Sequence, residues 1–300
     1  MDHDALFKSL LTEFFADFLR LFYPNKATRL DLRRPRFLDK EVFADLPKRK
    51  ERRLDLVAEV RTRGGRKEIV LVHVEIEARG RERFEARMFR YYMALRLRHD
   101  QPVFPIVLVL SRAAAGLDRP SHREAVLGEE VCAFRFWRIG LSRLSGAEYV
   151  SRANPLAPAL AALMRPGSRA RDEWKERCLR AVASARTNEA RRTLLLDCIE
   201  SYLPLSPTEE ARFHRRLEHR ENKELMAMRK TWSEQLLERG ERRGEKRARR
   251  ETLLRLMGAK FGTLPADVEA RVAAIEDIAR LDVLLERILT AHSIDEMGLA

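Results

Sequence analysis

Two strand-like runs, LDLVAEV at 54–60 and IVLVHVEIE at 69–77, are joined by the turn-forming RTRGGRK. They commit this chain to a sheet whose inner strands carry acids, because Asp55, Glu75 and Glu77 are embedded in otherwise apolar runs. An ionised carboxylate buried without a partner is costly, so acids placed this way imply a cation, an ion pair or a proton-transfer site.

Strand side chains alternate between faces, which places Ile69, Leu71, His73, Glu75 and Glu77 on one side and Val70, Val72, Val74 and Ile76 on the other. Asp55, Val57 and Glu59 likewise share a side of the first strand. A hairpin closing through an odd-length loop at Gly64-Gly65-Arg66 would set Asp55 directly opposite Glu75, with Cβ atoms about 5 Å apart. A two-residue Gly64-Gly65 turn would instead pair Asp55 with Val74 and send it to the other face. In the first register the carboxylates repel each other unless bridged. A hard ion such as Mg²⁺, or Mn²⁺ in its place, suits an oxygen donor set of this kind. The competing reading is an ion-pair network with the nearby arginines.

Around this hairpin the spacing predicts a compact α/β region over residues 1–150. Leu6, Phe7, Leu10, Leu11, Phe14, Phe15, Phe18, Leu19 and Phe22 recur at three- and four-residue steps, predicting one helix from Asp4 to Phe22 that ends at Pro24. Residues 29–53 read as irregular and basic. A helix is expected from about Arg81 to Arg98, followed by PVFPIVLVLS as a strand buried on both faces and VCAFRFWRIGLSRL as a further strand near the sheet edge. The expected order is helix, strand, strand, helix, strand, strand.

Proline-rich NPLAPALAALMRPGS opens a helical middle region, 151–237, in which Ser206-Pro207-Thr208-Glu209-Glu210 signals a helix start. Glu238 to Arg250 holds seven basic and three acidic residues with Ala248 as the one apolar side chain, so 238–250 is expected to be a solvated helix or a connector. Residues 251–300 regain an amphipathic pattern and read as a small helical module, a candidate for self-association into a homo-oligomer.

The formal net charge is +13. Such an excess favours polyanionic partners, nucleic acid first. Basic runs at Lys48 to Arg53 and Arg239 to Arg250 are candidates for tracking a DNA backbone. Cys132, Cys178 and Cys198 fit neither a disulfide framework nor a zinc-ligand spacing. MDHDALFKSLL lacks the layout of a signal peptide and no apolar run is long enough to cross a bilayer, so the expected location is the bacterial cytoplasm, with no membrane partner.

HDALFK, RRLDLVAEV, VHVEIEAR, RFEARMFRYYMALRLRH and PVFPIVLVL, in that order and spacing, resemble the PD-(D/E)XK nuclease family of recombination-promoting nucleases and transposase-like proteins. The segment RRETLLRLMGAKFGTLPADVEARVAAIEDIARLDVLLERILTAHSIDEM resembles the small helical domain of unknown function that often accompanies that nuclease in bacteria. The resemblance implies a PD-(D/E)XK-like core, a mixed sheet flanked by helices, followed by an all-α C-terminal region. It implies a metal-dependent DNA nuclease linked to recombination or mobile elements. Asp55 takes the place of the motif aspartate and Glu75 that of the second motif acid, both as ligands of Mg²⁺ or Mn²⁺. Glu77 departs from the pattern, standing where the superfamily has Lys and this family usually has Gln, and it can serve only as an auxiliary ligand or a water-orienting group. Arg79, Arg87 or Arg90 would then supply the missing positive charge, and Lys8 would approach phosphate. The departure at Glu77 also supports a second reading: a non-catalytic DNA-binding or interaction protein derived from such a nuclease.

Overall fold

The computed structural model describes residues 3–38, 54–75, 84–110, 116–218 and 223–299 of the chain. The chain is mixed α/β with a helical C-terminal region, and it divides into two compact units, residues 1–226 and 227–300.

The first unit opens with helices α1 (His3–Glu13) and α2 (Phe15–Phe22), so the single helix expected from Asp4 to Phe22 is divided at Phe14. Their apolar stripe is fully used, with Phe7, Phe14, Phe15 and Phe18 all buried. A short turn, α3 (Pro24–Ala27), leads into strand β1 (Leu30–Leu38). This strand corrects the expectation of irregular chain there. Its sequence LDLRRPRFL hides the alternation because a bulge between Asp31 and Arg36 absorbs Pro35, which cannot donate to a ladder. An edge position tolerates both features.

Strands β2 (Leu54–Thr62) and β3 (Lys67–Glu75) follow as an antiparallel pair, and helix α4 (Phe84–His99) crosses over to β4 (Val103–Val109), which runs parallel to β3. As its composition predicts, β4 is central and covered on both faces, with Ile106, Val107 and Leu108 fully buried. Beyond it come the two-residue β5 (Leu117–Asp118), a separate hairpin of β6 (Ser121–Val126) and β7 (Glu129–Arg135), and β8 (Trp137–Gly140). The main sheet has the order β1-β2-β3-β4-β8-β5. The single strand expected from VCAFRFWRIGLSRL is therefore two strands parted at Phe136, of which the second, β8, lies near the sheet edge as expected, flanked by the two-residue β5.

The two faces of this sheet are covered differently. Val57, Val107 and Val109 pack with Met88 and Leu95 of α4. On the other side Phe37, paired with Ala58 in the register, meets Phe15 of α2 edge-on at 5.6 Å, and α1 packs along β2.

Helices α5 (Gly146–Val150), α6 (Ala157–Ala161), α7 (Arg171–Ala183), α8 (Glu189–Tyr202) and α9 (Pro207–Leu217) complete the first unit. They are bound to the N-terminal helices by specific contacts. Arg191 of α8 donates to Asp17 at 2.6 Å and lies 4.1 Å from the Phe14 ring, and the Asn154 amide donates to the Asp17 carbonyl at 2.9 Å. Ser206 caps α9 in a reciprocal capping box with Glu209, the start its sequence signals.

The second unit takes in most of the 39-residue helix α10 (Lys223–Phe261), which contains residues 238–250, with α11 (Ala266–Ala274) and α12 (Ile278–Thr290). Leu253, Met257, Val272, Leu281, Leu284 and Ile288 close a core of its own. No helix among the described residues is long and apolar enough to cross a membrane.

Candidate active site

The β2–β3 hairpin turns through Arg63-Gly64-Gly65. The Thr62 N–H donates to the Arg66 carbonyl at 2.7 Å and the Gly65 N–H to the Thr62 carbonyl at 2.9 Å. Gly65 has φ +86°, the left-handed conformation that closes a three-residue hairpin loop and that residues with a Cβ adopt only at a cost. This turn sets the register of everything upstream and downstream. Asp55 pairs with His73, Val57 with Leu71 and Glu59 with Ile69.

The observed register is neither of the two expected from sequence. The loop is odd in length but sits one residue earlier than the Gly64-Gly65-Arg66 loop, so the ladder slides by two and the direct opposition of Asp55 and Glu75 is replaced by a diagonal one. Sliding by two preserves the faces, whereas sliding by one would reverse them. Positions 55, 73 and 75 therefore share a side of the sheet, with 55 and 75 diagonal neighbours at about 7 Å. It is the side that carries Val57 and Val107 and packs against α4.

These positions also lie at one end of the sheet. Glu75 lies abreast of Val109 at the end of β4, which is abreast of Gly140 at the end of β8. Position 75 thus stands beside the carboxyl ends of the parallel strands β4 and β8, and ligands of α/β sheets gather outside the carboxyl ends of such strands.

Two of the expected basic residues belong to this side. Arg87 of α4 is buried, its guanidinium 5.0 Å from the Phe84 ring, and Arg90 is exposed one turn on. Lys8 rides on α1, on the opposite face of the sheet. Glu77, Arg79 and the run Lys48 to Arg53 lie outside the described residues, as do the side chains at 55, 73 and 75. Among the described residues, no group of three or more His, Cys, Asp or Glu is placed to hold a metal ion.

The second basic run, Arg239 to Arg250, is largely neutralised within α10 and the helices beside it. Arg242 pairs with Glu238 at 3.0 Å, Arg247 with Glu251 at 2.7 Å, Arg249 with Asp282 at 2.5 Å and Arg250 with Glu276 at 2.8 Å. A cluster that sequence inspection does not single out lies at the hairpin-turn end of the sheet. Lys26, Arg29, Arg63 and Arg66 converge there with Phe104 and Trp137 on a cleft of about 790 Å³. These residues come from four separate stretches of chain, so no local run of charge marks them.

Residues 1–109 match the model of the family described as "Putative transposase, YhgA-like", a little over a third of the chain. No curated protein and no solved structure matches the chain.

Proposed function

We propose that the chain is a metal-dependent DNA nuclease of mobile-element origin, with a PD-(D/E)XK-like core formed by the sheet and its flanking helices. One observation carries this reading: the hairpin register puts the positions of Asp55 and Glu75 on the same side of the sheet, beside the carboxyl end of β4 and on the face that α4 covers. The match of residues 1–109 to a transposase-like family supports association with mobile elements and DNA.

Asp55 and Glu75, with Glu77 as auxiliary, are an all-oxygen donor set of the kind that suits Mg²⁺ or Mn²⁺. Bound there, the ion would lower the pKa of a water and offset charge developing on the phosphodiester. The protein's own part is positional. The β2–β3 ladder holds two acids at a fixed separation, and α4 brings Arg87 and Arg90 to the same side as candidates for gripping a phosphate oxygen, the task that Glu77, as an anion in place of Lys, is unsuited to perform. Glu77 is left to bind metal or accept a proton.

A thermal-shift titration tests the metal reading without relying on turnover. Mg²⁺ or Mn²⁺ binding to the folded state alone raises Tm, by about 2.7 kcal/mol of added stability at a hundredfold excess over Kd. The wild type should show the shift and Asp55→Ala should lose it. A wild type indifferent to both ions would instead favour the non-catalytic DNA-binding reading, to which the Glu77 departure points.

A further inference from the structure

The cleft at the hairpin-turn end of the sheet is chemically unlike the acidic end. Along β2 it stands seven residues from Asp55, about 23 Å away. Lys26 Nζ sits 4.9 Å from the Trp137 ring centroid and 5.3 Å from that of Phe104, two rings that meet edge-on at 4.5 Å. The Arg119 guanidinium lies 4.4 Å from the same Trp137 ring. Cations held on aromatic faces keep their positions and charge while remaining open to an anion.

A second cleft of about 730 Å³ adjoins the first, sharing Thr28, Leu30, Thr62 and Arg63 with it and adding Arg61. The lining acids are Glu68 in one and Asp31 in the other. Both are already taken: Arg66 pairs with Glu68 at 3.1 Å, and Arg33 grips Asp31 through two hydrogen bonds that hold its carboxyl well below the usual range. Among the described residues, Lys26, Arg29, Arg61, Arg63 and Arg119 have no carboxylate at ion-pair distance. The contrast with α10, where Arg242, Arg247, Arg249 and Arg250 are each matched to an acid, is a contrast between a decorated surface and an unbalanced one.

We propose that these joined clefts bind the sugar-phosphate backbone of a DNA strand, at a site separate from the acidic positions. The cations are strung over two adjoining hollows rather than gathered round one point, which suits successive phosphates of a polymer better than one free phosphate. Trp137 contributes by fixing Lys26 and Arg119 rather than by stacking on a base. The inference rests on the DNA-binding part of the proposed function and not on cleavage, so Asp55→Ala protein should bind here unchanged.

The test uses the full chain and a fluorescently labelled 20-base-pair duplex, with affinity measured over a series of salt concentrations. Lys26→Met, which keeps an apolar stem on the two rings, combined with Arg63→Ala at the exposed turn, should lower the slope of log K against log salt by about 2. Thermal melts check that the double variant folds. In unmodified protein, duplex should perturb Trp137 emission, a change absent in Trp137→Phe, whereas inorganic phosphate or pyrophosphate should not. An unchanged slope in the folded double variant would overturn the proposal, as would a Trp137 response produced by the small phosphates and not by duplex.

Discussion

At the scale of single residues, Gly65 decides more than its neighbours do. Its φ of +86° lets the loop close after three residues, and the loop fixes which rung each strand residue occupies. The sequence advertises a Gly-Gly turn but not which residue takes the left-handed conformation, and that ambiguity is why the direct pairing of Asp55 with Glu75 was expected and a diagonal one found. The shared face follows from an odd-length loop and not from a two-residue Gly64-Gly65 turn, so the sequence offers it as one of two alternatives and the observed register selects it. Nothing lies within 4 Å of a Cβ built on Gly65, so Gly65→Ala should cost backbone strain alone, about 1 kcal/mol. Urea melts would register this, and a neutral substitution would mean that the loop is not held as described.

At the scale of elements, the strongly patterned segments were readable and the compromised ones were not. β4 and α9 with its Ser206 cap follow from composition and capping, and the amphipathic pattern after residue 250 marks a helical module without dividing it into α11 and α12. β1 escaped notice because arginines and Pro35 interrupt it, and the division of VCAFRFWRIGLSRL into β7 and β8 because its apolar pattern runs on through Phe136. The junction of α7 and α9 was also beyond sequence reasoning, since it depends on a charge that tertiary structure buries. Asp172 is fully buried, and Arg216 reaches it at 2.5 Å with Arg212 at 3.3 Å. Burial alone would push its carboxyl up, but the two guanidiniums outweigh that and hold its pKa below the ordinary value. A depressed folded pKa contributes stability that is complete above the unfolded value, about 3.9, and is lost as pH falls through the folded one. Asp172→Asn should therefore cost about 2 kcal/mol at pH 7, below the range for fully buried pairs because both arginines can turn towards water. The gap between variant and wild type should narrow as pH drops below about 4. Denaturant melts at several pH values would show it, and a pH-independent gap would contradict the assigned ion network.

At the scale of the whole molecule, two chemistries occupy opposite ends of one sheet. The positions of Asp55 and Glu75 stand beside the ends of β4 and β8, and unbalanced cations stand where β2 turns into β3 and where β4 and β8 begin. A net charge of +13 indicated a polyanionic partner without showing where that charge is left unmatched. Locating it required the fold, because Arg242, Arg247, Arg249 and Arg250 of α10 are matched to acids of α10 itself and to Glu276 and Asp282, while scattered cations from α3, the β2–β3 turn and the strand starts are not. The helical middle belongs to the same compact unit as the sheet and is tied to α2 through Arg191 and Asn154. The second unit closes a core of its own around Met257 and Leu281. Asp55 and Glu75 are proposed to form a metal-assisted phosphodiester-cleaving site. Its most direct measurement is the conversion of supercoiled plasmid by purified protein supplied with Mg²⁺ or Mn²⁺ alone. The account predicts nicking or linearisation by the wild type that is abolished in folded Asp55→Ala and Glu75→Ala. Cleavage persisting at the wild-type rate in either variant would contradict it.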